Sequence, residues 1–181
     1  MKPAHRTSII RALIFDLDGV IADSVPLHFK AWKAMFAEYG RAFTFEDYKK
    51  KVDGIPRLDG ARAILKKLGS RDLDHAARLK QSYFLRYVRK GKLKAFPPAV
   101  RFLLEARRKG LKIAVISASR HAGMLLKKLR LMKKIDILVD GNDVRRGKPH
   151  PEIFLKAARR LGRKPAVCVA FEDAVLGVQS A

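Results

Sequence analysis

Ala12-Leu13-Ile14-Phe15-Asp16-Leu17-Asp18-Gly19 is the stretch from which the fold is read. Four apolar residues in succession, cut short by carboxylates and a glycine, predict a short buried strand whose polar chemistry sits at its carboxyl end. Similar apolar runs recur at Ile113-Ala114-Val115-Ile116 before Ser117-Ala118-Ser119, at residues 135–139 before Asp140-Gly141, and at residues 167–171 before Glu172-Asp173. Between them, helical patterns cover residues 99–108, 122–131 and 151–161, with proline at starts and glycine after ends as helix capping favours. Strands alternating with helices predict a parallel sheet. Ligands of such sheets bind beyond the carboxyl ends of the strands, where this sequence places carboxylates, hydroxyls and glycines.

Between the first two strands lies a long helical stretch over residues 26–93, with Phe29, Trp32, Met35 and Phe36, then Ala76, Leu79, Tyr83 and Leu85 at helical spacing. It reads as an inserted helical unit, and its Trp32 and Phe36 read as core. The expected class is therefore α/β, a Rossmann-like three-layer sandwich with a parallel sheet plus an inserted helical cap. The core covers residues 1–24 and 96–181, the cap residues 25–95.

At 181 residues, with 48% hydrophobic and 31% charged, the chain is long enough for one core with a small insertion and too apolar for disorder. The single Cys168, inside an apolar run, reads as a small buried hydrophobe and favours a reducing, cytoplasmic setting. The stretch 1–10 lacks the apolar region and cleavage site of a signal peptide, and no apolar run approaches a membrane span, so no membrane partner is expected. The net charge of +23 calls for an anionic partner. Its clusters, Lys49-Lys50-Lys51, Arg107-Arg108-Lys109 and Arg145-Arg146, are spread over several elements. With no helix-turn-helix, zinc knuckle or base-stacking motif, no specific nucleic-acid partner is expected. A basic polyanion-binding fragment without catalysis is the alternative of a different class.

Asp16 and Asp18, two apart at a strand end, suit nucleophilic and acid/base work if the chain turns at Gly19. Alone this is a weak signal, because a calcium loop or an Asx turn uses the same residues. A hydroxyl at Ser117, a cation at Lys148 and the acidic pair Glu172-Asp173 add the other requirements of phosphoryl chemistry. Capping of a helix over residues 174–180 is the structural alternative for that acidic pair.

This set, in this order, resembles the haloacid dehalogenase superfamily, whose four motifs match Asp16-Leu17-Asp18-Gly19-Val20, Val115-Ile116-Ser117-Ala118-Ser119, Gly147-Lys148-Pro149-His150-Pro151 and Phe171-Glu172-Asp173-Ala174. Ile21-Ala22-Asp23-Ser24, His28-Phe29-Lys30-Ala31-Trp32 and the helical insertion look most like its beta-phosphoglucomutase branch, which acts on sugar phosphates. The resemblance implies that Asp16 attacks phosphorus to form an aspartyl-phosphate and that Asp18 is the acid and base. It implies Mg²⁺ held by Asp16, the backbone carbonyl of Asp18, Glu172 and Asp173. It implies phosphate contacts from Ser117, Ala118 and Lys148, and cap contacts to a small phosphorylated sugar from His28, Arg57 and Lys80.

Two departures stand out. Branch mutases carry Lys-Gly-x-Ser-Arg in the cap where this chain reads Asp53-Gly54-Ile55-Pro56-Arg57, which brings sugar-phosphate hydrolysis forward beside the mutase reaction. Eight residues follow Asp173, whereas the family usually continues to another strand and helix. A C-terminally truncated core, with association through the exposed sheet edge, is the expectation that follows.

Overall fold

In a computed structural model, residues 10–91 and 93–181 are described. The expected first strand is β1 (Ala12–Asp16), extended by one residue into the first aspartate. It pairs in parallel with β2 (Lys112–Ile116) on one side and β4 (Cys168–Phe171) on the other, and β2 pairs in parallel with β3 (Ile137–Val139). The sheet order is β3-β2-β1-β4. β3 starts two residues later than its apolar run. The Asp136 carboxylate accepts the Ile113 N–H at 2.8 Å, while its own N–H donates to the Ile113 carbonyl, anchoring the strand entry. β4 starts one residue late because Pro165, which lacks an N–H, opens a 3-10 turn over Pro165–Val167.

Alternation along the central strands sorts side chains onto two faces. Leu13, Phe15, Ile113 and Val115 pack with Leu103 of α5 (Pro97–Arg108) and with Leu125 and Leu126 of α6 (Ala122–Lys128). Ala12, Ile14, Ala114 and Ile116 pack with Ile153, Phe154 and Ala157 of α7 (Glu152–Arg160) on the opposite face. The expected three-layer sandwich results. Edge strand β4 is held partly by Phe171, which stacks on fully buried Phe15 at 4.7 Å between centroids, a contact worth about 0.5–1.5 kcal/mol beyond its area burial. Being on the edge, β4 leaves Cys168 half-buried, with Sγ directed at the Lys164 carbonyl, rather than enclosed as its apolar neighbours suggested.

The long helical stretch forms four helices: α1 (Val25–Glu38), α2 (Phe45–Lys51), α3 (Arg57–Ile64) and α4 (Ser70–Arg89). Trp32, Met35, Phe36, Phe43, Tyr48, Val52 and Leu73 form their shared core, so the helical aromatics are packing residues as expected. A capping box between Thr44 and Asp47 starts α2. The helices join the sheet at one doorway, where bridges pair Asp18 with Ala22 and Ala22 with Ala95, and the Asp23 N–H reaches the Lys94 carbonyl at 2.9 Å. Residues 1–9, inside the expected core boundary, and Lys92, inside the helical stretch, lie outside the described residues. Among those described, no helix is long and apolar enough to cross a membrane.

Candidate active site

The chain turns immediately after β1. The Asp18 N–H donates to Asp16 Oδ2 at 2.9 Å, and the Gly19 N–H donates to the Ala22 carbonyl at 2.9 Å. This turn gives the two aspartates different company.

Asp16 meets Lys148, from the β3–α7 connection, and Glu172, which follows β4. Lys148 Nζ lies 2.7 Å from Asp16 Oδ1 and 2.5 Å from Glu172 Oε2, with all three side chains buried. Burial, with Glu172 and Asp18 nearby, pushes the Asp16 carboxyl well above the usual range against the pull of Lys148. Burial weakens the Lys148 ammonium, but attraction to Asp16 and Glu172 more than offsets it and holds the group protonated above its ordinary range. The Ala174 N–H donates to Glu172 Oε1 at 3.2 Å, so the capping alternative and membership of the cluster coexist at the entry to α8 (Val175–Ser180).

Asp16, Glu172 and Asp173 each offer an oxygen within 4.8 Å of the others. An all-oxygen, acidic set suits a hard divalent cation, and Mg²⁺ retains waters to complete its shell. The Asp18 carboxylate lies outside this set, occupied by other partners. Asp173 owes its place to Gly19, which has φ +87°, and a Cβ there would come within 2.3 Å of Asp173 Oδ2. Gly19→Ala is therefore expected to displace Asp173 and lower Mg²⁺ affinity about 10–100-fold, read by calorimetric titration without substrate. The left-handed backbone adds a stability cost of about 1–2 kcal/mol. Unchanged Mg²⁺ affinity in a folded variant would remove Asp173 from the metal set.

Asp18 is held by three donors: Ser24 Oγ at 2.5 Å and His28 Nε2 at 3.2 Å on Oδ1, and Ser117 Oγ at 2.8 Å on Oδ2. Burial opposes ionisation, but the pull of His28 and these hydrogen bonds outweighs it and keeps the carboxyl far below its ordinary range. Ser117 Oγ also accepts the Ser119 N–H at 3.0 Å, which ties the turn after β2 to Asp18. Behind His28, Lys80 Nζ lies 2.8 Å from Nδ1. With ammonium as donor, Nδ1 accepts and Nε2 carries the proton toward Asp18. Phe84 stacks on the His28 ring at 4.0 Å, and Lys80 Nζ lies 5.0 Å from the Trp32 ring centroid.

Burial drives Lys80 down to about 7, and burial with Lys80 also lowers His28. Between about 7 and the ordinary 10.5, the unfolded chain holds a proton at Lys80 that the folded chain has released, so stability rises with pH across that window. Relative to wild type, Lys80→Met is expected to be more stabilised at pH 7 than at pH 10, by a few kcal/mol, in urea melts at both pH values. A pH-independent difference would refute the depressed ammonium.

The cap closes over these groups and leaves a cavity of about 360 Å³ lined by Asp16, Asp18, His28, Lys80, Arg57 and Ala118, among others. Pro56 packs so closely on Gly147 that a Cβ there would lie 2.6 Å from Pro56 Cδ, and Gly54, with φ +75°, faces Ala174. Arg57 does not pair with its near neighbour Asp59, which binds Arg62. Arg57 Nη1 donates instead to Gln81 Oε1 at 2.9 Å. Gln81 also lines the cavity, and its amide nitrogen is buried without a hydrogen-bond partner.

Sequence reasoning did not select Ser24, Gln81, Arg120, Lys49 or Asp53 as site residues. Arg120 lines the cavity beside Ala118 and Ser119. Lys49 pairs with buried Asp53 and lies 3.7 Å from Asp173. Ser24 stood inside a stretch quoted for the resemblance and Asp53 inside the stretch that departs from it, a signal that would have sufficed to single them out. Lys49 and Gln81 carry no such signal, because only the docking of cap on core brings them to the site.

A parallel sheet with an acidic, lysine-balanced centre at its carboxyl rim, covered by a helical insertion, defines a capped Rossmann-like enzyme architecture. The chain belongs to the haloacid dehalogenase-like hydrolases, whose family model matches residues 10–181. It is 34% identical over 181 residues to a phosphorylated carbohydrates phosphatase of Thermotoga maritima, an alignment covering 95% of this chain and 80% of the relative. It is 32% identical over 179 residues to a beta-phosphoglucomutase of Bacillus subtilis, covering 94% and 78%. Among solved structures, a beta-phosphoglucomutase from Clostridium difficile superposes with a TM-score of 0.88 at 29% identity, covering 95% of this chain and 80% of that one.

Proposed function

We propose that the chain catalyses Mg²⁺-dependent phosphoryl transfer from a small phosphorylated sugar through an aspartyl-phosphate on Asp16. The observation that carries this reading is the convergence of Asp16, Lys148, Glu172 and Asp173, brought from three separate parts of the chain, on one cavity beneath the cap, with buried Ser117 set behind it against Asp18. Relatives named for sugar phosphates, one a phosphatase and one a mutase, support the substrate class.

Asp16, Glu172, Asp173 and the Asp18 carbonyl would hold Mg²⁺, which when bound offsets the repulsion between an anionic nucleophile and a phosphate dianion. Asp16, stripped of Lys148 when that ammonium turns to phosphate, is the nucleophile. Lys148, Ser117 and the Ala118 backbone bind phosphoryl oxygens. Asp18, already ionised, is the base for the incoming hydroxyl or water. A phosphate dianion beside it raises its proton affinity and lets it serve as the acid for the leaving oxygen. Arg57 and the orphan Gln81 amide hold sugar or distal phosphate oxygens, and His28 with Lys80 orients Asp18 from the cap. Residues 25–95 serve as the moving cap, which excludes water when closed.

The final acceptor separates a mutase, in which a sugar hydroxyl takes the phosphoryl group, from a phosphatase, in which water does. Asp53 favours water: the mutases' cap lysine is replaced by a buried carboxylate whose charge is taken up by Lys49. The test is incubation with beta-glucose 1-phosphate, a trace of its bisphosphate and Mg²⁺, following glucose 6-phosphate against free phosphate. Dominant free phosphate is expected. Dominant glucose 6-phosphate establishes the mutase, and neither product from this or other sugar phosphates defeats the transfer reading.

A further inference from the structure

In a parallel sheet with helical crossovers, every helix-to-strand junction returns to the amino end, opposite the catalytic rim. Basic clusters that are dispersed along the sequence are gathered there by topology. The α5–β2 junction presents Arg107, Arg108, Lys109 and Lys112, all exposed. The α6–β3 junction presents exposed Lys127, Lys128, Arg130, Lys133 and Lys134, and the α7–β4 junction exposed Arg159, Arg163 and Lys164. Hydrogen bonds to backbone carbonyls link these junctions: the Arg107 side-chain Nη1 donates to the Lys134 carbonyl at 3.5 Å, the Lys112 N–H to the Arg11 carbonyl at 3.1 Å, and the Arg11 N–H to the Val167 carbonyl at 2.8 Å.

Few acids answer this charge. Glu105 is taken by Lys109, and Asp136 by Lys112 and Arg107. Among the described residues, Arg108, Lys128, Arg130, Lys133 and Lys134 form no ion pair. Seven of the chain's 17 Asp and Glu line the catalytic cavity at the other end, where six Lys and Arg nearly balance them, so those acids are not available to neutralise the amino-end face. Cations in the last turns complement helix dipoles, which accounts for Arg107, Arg108, Lys127, Lys128 and Arg159. It does not account for Lys112, Arg130, Arg163 or Lys164, which lie outside the helices, and a single 3-10 turn over Met132–Lys134 has little dipole to call for both Lys133 and Lys134. Arg130 even occupies a left-handed position, φ 59°, that glycine ordinarily fills after a helix. Nor does steering of phosphorylated substrates explain the face, which is on the side away from the cavity.

We propose that this amino-end face docks the phosphate backbone of a nucleic acid, without reading its sequence. Regularly repeated phosphates match a broad field of exposed cations, and counterion release supplies the affinity. No aromatic residue occurs in the three junctions, so base stacking is not offered and a duplex is a suitable ligand. An anionic membrane is less well matched. Among the described residues the exposed Phe102, Met124 and Leu155 lie within helices rather than at the junctions, and Ile10, ahead of β1, is a lone exposed apolar side chain at this end, too little to anchor the face in a bilayer.

The test is fluorescence anisotropy of the full chain with a labelled random-sequence DNA duplex of about 20 base pairs, titrated at salt from about 50 to 200 mM. Binding independent of sequence is expected, with a log–log salt slope of about −4 or steeper. Lys128→Glu/Arg130→Glu/Lys133→Glu is expected to weaken binding at least about 10-fold at the lowest salt. Lys66→Glu/Lys67→Glu/Arg71→Glu makes the same change in net charge on exposed cap positions and is expected to stay within about 2-fold. Thermal melting checks that both fold. Should the first triple variant not fold, Arg130→Gly, suited to its backbone, is expected to weaken binding about 2-fold and flatten the slope. Equal weakening by both triple variants, no binding at the lowest salt, an unaltered Arg130→Gly, or phosphatidylserine vesicles retaining the protein at salt that releases the duplex would each overturn the proposal.

Discussion

Asp16→Asn is expected to abolish Mg²⁺-dependent phosphate release from sugar phosphates, with a loss on the order of 10⁴-fold or more, while leaving a folded protein. The amide keeps the shape of the carboxylate but has no lone pair basic enough to form an acyl phosphate. Folding should tolerate the change. Burial among other carboxyls pushes Asp16 upward, so the folded chain holds this proton more tightly than the unfolded chain does, and ionisation at neutral pH works against the fold. Neutral asparagine removes that opposition and forgoes one ionic contact with Lys148, which retains Glu172 at 2.5 Å. The measurement is a phosphate-release assay paired with thermal melting at neutral pH. Turnover within about 10-fold of wild type, in a folded variant, would rule out Asp16 as nucleophile.

Lys148→Ala is the second large effect, and it falls on stability as well as turnover. Its ammonium is the cation between Asp16 and Glu172, and all three side chains are buried. Removing one partner of a buried charge network leaves the others uncompensated, at a cost of about 3–5 kcal/mol. The pH dependence gives the sign. Lys148 has a folded pKa above its unfolded value, so its contribution is complete at every pH below the ordinary lysine range and is lost only as pH rises through the folded value. In the variant the stranded carboxyls are relieved by taking up protons. The stability deficit is therefore expected to be larger at pH 8 than at pH 5 in urea melts, with phosphate release reduced about 10²–10³-fold. Mg²⁺ should recover part of the lost stability by supplying another cation to the same oxygens. A variant as stable as wild type at pH 8 would show that the three groups do not depend on one another.

The acidic centre was legible residue by residue, because each of Asp16, Ser117, Lys148 and Glu172-Asp173 follows an apolar run or a turn that marks a strand end or a helix entry. The cap was legible only as a helical insertion. That Lys80 stands behind His28, that Arg57 turns to Gln81 instead of Asp59, and that Lys49 approaches Asp173 depend on helix phase and on how four helices dock, which no local pattern encodes. Cys168 makes the same point: its apolar neighbours suggested enclosure, and the place of β4 in the strand order leaves it half-buried.

Sequence alone determined the alternation of strands and helices, the inserted helical unit and the chemical types gathered at the strand ends, because periodicity and turn residues act within a few positions of one another. Tertiary structure decided which carboxylate meets which cation, and where the excess positive charge lies. A parallel sheet sends its strand ends to one rim and its helix-to-strand junctions to the other, so residues scattered along the chain become neighbours only when the crossovers close.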